Sequence, residues 1–110
     1  MANAKKQLSN ICEKREQITE DVANIFKVLG DKTRLEILFA LEHKSLCVGN
    51  LVDTLGFSQS LVSHQLKVLR DYNIVSTQRA GNKIYYSLAD DHIASLLAMA
   101  KEHICERSQL

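Results

Sequence analysis

A chain of 110 residues supports one domain with a single small core and leaves no room for a second. Apolar residues make up 45% and charged residues 25%, with 4 Gly and neither Pro nor Trp, a helix-leaning globular balance that excludes disordered, collagen-like and all-β classes. The net charge of +1 does not announce a nucleic-acid partner, but the charge is polarised: from Ser58 to Ile84, Lys67, Arg70, Arg79 and Lys83 face the single acid Asp71, whereas from Asp90 onward acids predominate.

In chain order, Ile11, Ile18, Val22, Ile25 and Leu29 recur at spacings of seven, four, three and four, which predicts a first helix over about Leu8 to Leu29, closed by Gly30. Asp31 is placed to cap a second helix that carries Leu35, Leu38 and Leu41 and ends near His43 and Lys44, where cations suit the carbonyl end. A short third helix follows over Val48 to Leu55, with Val48, Leu51, Val52 and Leu55 on its apolar face. The break Gly56-Phe57-Ser58 supplies a turn whose serine caps a fourth helix over Gln59 to Tyr72. Two β-branched and aromatic runs, Ile74 to Thr77 and Ile84 to Leu88, flank Arg79-Ala80-Gly81-Asn82-Lys83 and read as a hairpin with a basic tip. A last helix runs from Asp91 to Glu106. This order is that of a winged helix-turn-helix, mainly α with a β-hairpin wing, filling residues 1–110 as one domain.

A short helix, a turn with Gly and a helix with a polar outer face is the geometry that lays the second helix in a DNA major groove. Val62, Leu66 and Leu69 would pack inward, leaving Gln59, Ser60, Ser63 and His64 to reach base edges. Lys67, Arg70, Arg79 and Lys83 would contact phosphates, which position without specifying. An amphipathic surface helix beside a solvated hairpin shows the same pattern, and the basic hairpin directly after the helix favours DNA binding.

Asp90, His92, His103 and Glu106 are metal-binding residue types. At about 100° per residue, His92 and His103 lie within roughly 20° of each other on one face. Eleven residues at about 1.5 Å each nevertheless separate them by roughly 16 Å, against metal–nitrogen bonds of about 2 Å. One straight helix therefore does not close a site. Two antiparallel copies about a twofold would, each pairing its Asp90–His92 end with the partner's opposite end, and Ile93, Leu96, Leu97, Ala100 and Ile104 form an apolar stripe for the seam. The alternative is that Asp90 caps the helix, Glu106 is solvated and the histidines are polar interface groups. Two imidazoles and two carboxylates suit Zn(II), with Co(II) or Ni(II) also open. Four protein ligands leave no position for a reactive water, and no separate acid or base is placed for catalysis, so an enzyme is not expected.

Cys12, Cys47 and Cys105 are odd in number and widely spaced, which fits reduced thiols of the cytoplasm. The polar start from Met1 to Lys6 lacks the apolar stretch of a secretory signal, and no segment is long and apolar enough to span a bilayer, so no membrane partner is expected.

Cys47-Val48-Gly49-Asn50-Leu51, the run from Ser58 to Leu69, the Gly81 wing ending Tyr85-Tyr86-Ser87-Leu88 and the terminal Asp90, His92, His103, Glu106 pattern resemble the ArsR/SmtB family of metal-sensing repressors over about Val22 to Glu106. The resemblance implies a homodimer through the first and last helices, with residues 1–20 as N-terminal arm and helix and residues 91–107 as dimerisation and metal helix. It implies that the metal-free dimer binds double-stranded operator DNA and that Zn(II) at Asp90, His92, His103 and Glu106 releases it, derepressing efflux or sequestration genes. It also implies a hydrogen bond from the non-ligating nitrogen of His103 to backbone near Asn73. Proton competition at the histidines is expected to weaken sensing below roughly pH 6. A second site of that family uses a Cys-x-Cys pattern joined by N-terminal thiols. Here Cys47 matches its first position, Gly49 stands at its second, and Cys12 is the thiol of the N-terminal arm, with His43 a further donor. Cys12 and Cys47 thus carry the alternative reading of a soft-metal or thiol-responsive repressor of the same fold.

Overall fold

The computed structural model describes the backbone of residues 2–108 and the side chains of residues 14–107. Five helices and three strands follow in the order α1 (Ala2–Leu29), α2 (Lys32–Ala40), β1 (Leu46–Cys47), α3 (Val48–Leu55), α4 (Gln59–Asp71), β2 (Val75–Ala80), β3 (Lys83–Leu88) and α5 (Asp91–Ser108). The winged helix-turn-helix order read from the sequence is the observed one.

Caps set the boundaries that position the later site. Asp31 accepts from Arg34 N at 3.0 Å and starts α2, and Ser58 Oγ accepts from Leu61 N at 3.2 Å and starts α4. Gly56 ends α3 at φ 75, a left-handed conformation that a side chain disfavours, and so turns the chain toward α4 within three residues. Helix α2 stops at Ala40, earlier than the expected end near His43 and Lys44. Buried Leu41 caps it, and the chain then extends into β1. That two-residue strand was not anticipated. Leu46 and Cys47 pair with Tyr86 and Tyr85, making a three-stranded antiparallel sheet in the order β1-β3-β2.

The hairpin is tighter than the expected five-residue tip. Ala80 pairs with Lys83, so only Gly81 and Asn82 turn, and Arg79 and Lys83 belong to the strands. Gly81 has φ 66, the left-handed value that a two-residue turn with Gly first requires. Ser76 and Ser87 face each other across the ladder at 3.1 Å.

The core gathers Ile37 and Leu38 of α2, Leu51 of α3, Val62, Leu66 and Leu69 of α4, and Ile74, all fully buried. Val28 and Leu29 close it from α1, and Ile93 and Leu97 from α5. Apart from Ile74, in the bend between α4 and β2, each is an apolar position on one face of its helix, so burying those faces builds a single core. Among the described residues, large apolar side chains stay exposed along α1, at Ile18, Val22 and Phe26, and along α5, at Met99 and Ile104.

Candidate nucleic-acid interface and metal sites

Helices α3 and α4 meet through the Gly56–Ser58 turn with the inner face of α4 wholly buried. Its outer face presents Gln59, Ser60, Ser63, His64, Lys67 and Arg70, every one exposed. The first four cluster in the first two turns, where a major-groove helix meets base edges. Lys67 and Arg70 lie farther along the same helix, and Arg79 and Lys83 are exposed on the wing. Arg79 Nε donates to the Gly81 carbonyl at 3.3 Å, which holds the guanidinium against the turn.

Sequence reasoning missed how α4 is held. Arg34 Nε donates to Gln65 Oε1 at 2.7 Å, and Arg34 Nη1 donates to the Val28 carbonyl at 3.3 Å. One half-buried guanidinium therefore ties α1, α2 and α4 together. The available signal was an arginine in the first turn of a helix that is otherwise apolar along that side.

At the start of α5, Asp90 Oδ1 accepts from Ile93 N at 3.0 Å and lies 3.8 Å from His92 Nδ1. Asp90 thus does cap the helix, as the simpler alternative required. The cap uses Oδ1, and the His92 side chain beside it is 95% exposed. A cleft of about 550 Å³ opens here, lined by Asp21 of α1, Asp71, Tyr72 and Asn73 at the end of α4, and Asp90 and His92. Asn73 is left-handed at φ 57 and donates its N–H to the Arg70 carbonyl, ending the reading helix beside that cleft.

His103 and Glu106 are exposed three residues apart near the other end of α5. The structure therefore brings Asp90 to His92 but not to His103 or Glu106, and among the described residues no three His, Cys, Asp or Glu side chains converge within one chain. As a donor set, two imidazoles and two carboxylates on water-facing side chains fit a borderline divalent ion.

The expected dimer seam needs correction at Ile93 and Leu97 only, since Ala100 and Ile104 are exposed and stay open to a partner. Ile93 and Leu97 are buried in the chain's own core, and Leu97, Ala100 and Ile104 line a groove of about 350 Å³ with Leu35 and Phe39 of α2. The stripe was read as partner-facing because periodicity shows that a face is apolar without showing what covers it. Met99 lies within about 20° of His92 around the helix, so it shares the face of the candidate ligands.

Cys47 is buried at the start of α3, where its thiol donates to Asn50 Oδ1 at 3.0 Å and its N–H donates to the same oxygen at 3.2 Å. A Cβ at Gly49 would stand 3.9 Å from Cys47 Sγ, so the missing second thiol is a gap beside the first. Cys12 lies outside the described side chains, His43 is exposed, and Cys105 is exposed on α5.

Residues 31–77 match the family of bacterial regulatory proteins described as the arsR family. The chain is 39% identical over 87 residues to a transcriptional repressor SmtB homolog of Synechocystis, covering 79% of this chain and 66% of that protein, so it spans about two thirds of that relative's length. It is 44% identical over 87 residues to the regulator NmtR of Mycobacterium tuberculosis, covering 79% of this chain and 72% of that protein. Among solved structures, a homodimeric winged helix-turn-helix DNA-binding domain from Mycobacterium bovis, a possible ArsR-family regulator, superposes with a TM-score of 0.82 at 25% identity, covering 87% and 89% of the two chains.

Proposed function

The chain belongs to the ArsR/SmtB family of metal-sensing transcriptional repressors, not to a family of enzymes, and we propose that its metal-free homodimer holds an operator and that Zn(II) at two intersubunit sites on α5 releases it. The observation that carries this reading is the placement of Asp90–His92 and His103–Glu106 at opposite ends of the exposed face of α5. A twofold axis that sets two copies of α5 antiparallel turns those ends into two equivalent four-ligand sites. Ile18, Phe26 and Met99, exposed by 59%, 57% and 65%, supply apolar surface that a partner copy would cover.

In this reading the residues divide their work. Gln59, Ser60, Ser63 and His64 read base edges, while Lys67, Arg70, Arg79 and Lys83 hold phosphates on either side. Two reading helices in one dimer must meet half-sites about 34 Å apart, so a change in the angle between protomers breaks the match. Asp90 and His92 line a cleft with Tyr72 and Asn73, and in this reading the partner's α5 end enters that cleft. Bound zinc supplies strong bonds between the protomers, and these favour the dimer shape in which the site is best formed. The non-ligating nitrogen of His103 would then bond backbone near Asn73 and act on the end of the reading helix.

Couplings of this kind are typically about 1 to 3 kcal/mol, and a switch from 1:99 to 99:1 needs about 5.5 kcal/mol. The site of action is the cytoplasm, and among the described residues no helix is long and apolar enough to cross a membrane. The test pairs two variants in one DNA-binding assay. His103→Ala is expected to bind operator normally and no longer respond to zinc. Ser63→Ala with His64→Ala is expected to bind zinc normally and lose the operator. Zinc-driven release by the first variant contradicts the assigned site.

A further inference from the structure

Beyond Leu97 the last helix leaves the core, and residues 98–107, which include His103 and Glu106, are all exposed. Ala100 and Ile104 of this stretch face α2 across an open groove, and Lys101 adds a polar contact to the body of the protein. Lys101 Nζ forms an ion pair with Glu42 Oε1 and stands 4.7 Å from the centre of the Phe39 ring. The Glu42 side chain is only 10% exposed and that of Lys101 is 46% exposed, so this pair is partly withdrawn from water, unlike an ordinary surface pair. The aromatic face adds a second attraction for the same ammonium group. Among the described residues it is the one ion pair that joins α5 to another element.

The partners of Lys101 sit at the C-terminal end of α2, with Phe39 in its last turn and Glu42 one residue past its cap. The N-terminal end of α2 carries Arg34, which bonds Gln65 of the reading helix. Between them, Ile37 and Leu38 are fully buried, so the nine-residue helix is gripped along its length, and close packing of this kind transmits strain. A polar contact at each end of one packed helix thus connects the His103–Glu106 half of α5 to the middle of α4.

We propose that Lys101 is a positioning residue and α2 a lever: Lys101, held by Glu42 and Phe39, sets the orientation of the His103–Glu106 half of α5, and α2 carries that orientation through Arg34 and Gln65 to the reading helix. This inference rests on the metal-driven release proposed above and identifies a route for it separate from the Asn73 end of α4. Pulling His103 toward a partner protomer draws on Lys101 two residues away, and the withdrawn Glu42 resists separation because its charge would lose its partner. The strain therefore passes into α2.

Coupling between two sites is a ratio of affinities, so the test reads that ratio. Operator affinity of the full-length dimer is measured by anisotropy at fixed salt, with and without Zn(II), for the wild type, Lys101→Met, Glu42→Gln and the double variant. Methionine keeps an unbranched stem and removes the charge. Allosteric couplings of typical size change an affinity by about 5- to 150-fold. Each single variant is expected to cut the wild-type ratio at least threefold, and the double variant no further, because both lesions break one contact. Metal-free operator affinity and zinc affinity of the DNA-free protein are expected to stay within about twofold.

A merely structural tie would lower the melting temperature and leave the ratio unchanged, and an unchanged ratio in either folded single variant overturns the lever. Losses that multiply in the double variant also overturn it, since they mark separate routes. A wild-type protein that zinc does not release refutes the proposed function itself and the lever with it, and it is told apart because the failure appears before any substitution.

Discussion

If each metal site takes Asp90 and His92 from one protomer and His103 and Glu106 from its partner, two crippled chains should repair each other. The separation of the histidines, roughly 16 Å along α5, forbids a site within one helix. In a His92→Ala homodimer both sites lack a ligand, and the same is true of a His103→Ala homodimer. In a mixed dimer, both lesions fall into one site and the other keeps all four ligands. Purified heterodimers carrying two different tags should therefore hold one tight zinc, against two in the wild type. Random mixing without purification makes about half of the dimers mixed, which restores about a quarter of the wild-type capacity. Competition with a chromophoric chelator measures the count directly. Heterodimers with no tight zinc would refute the bridging arrangement. Heterodimers with two would show that the histidines are not ligands.

Other expectations follow from the packing and charge. Leu66→Ala empties a fully buried position on the inner face of the reading helix, and it should cost about 2 to 5 kcal/mol, a large share of a typical 5 to 15 kcal/mol total. Urea unfolding should show a lower midpoint with an unchanged slope. If exposed Lys67 holds one phosphate per protomer, Lys67→Gln should lower the slope of log affinity against log salt by about 2 per dimer. Titrations at several potassium chloride concentrations check this, and an unchanged slope would remove Lys67 from the DNA interface.

Helix α3 was legible to the residue, and α4 to within one residue at its end, because their boundaries are local. Cys47 and Asn50 close one start, Ser58 caps the other, and Gly56 separates them. The end of α2 was misjudged because Leu41, an apolar residue in helical register, is buried as a cap and not as a further turn. Strand β1 was invisible for a different reason: two residues form no periodic pattern, and Leu46–Cys47 is a strand only because β3 lies beside it. Residue type and helical spacing marked Asp90, His92, His103 and Glu106 as candidates, and only the family resemblance implied that they act as one set. Their polar supports were not readable, since Arg34–Gln65 and Lys101–Glu42 join residues 31 and 59 positions apart. The destination of the α5 stripe was also hidden, because Ile93 and Leu97 look alike to a partner helix and to the chain's own core.

The central claim is that zinc governs operator binding through α5. Its most direct test is titration of Zn(II) into reduced, metal-free protein bound to its own promoter region, followed by fluorescence anisotropy at fixed salt. The account predicts release that saturates near one zinc per protomer. Tight DNA binding that persists through several equivalents of zinc would contradict it.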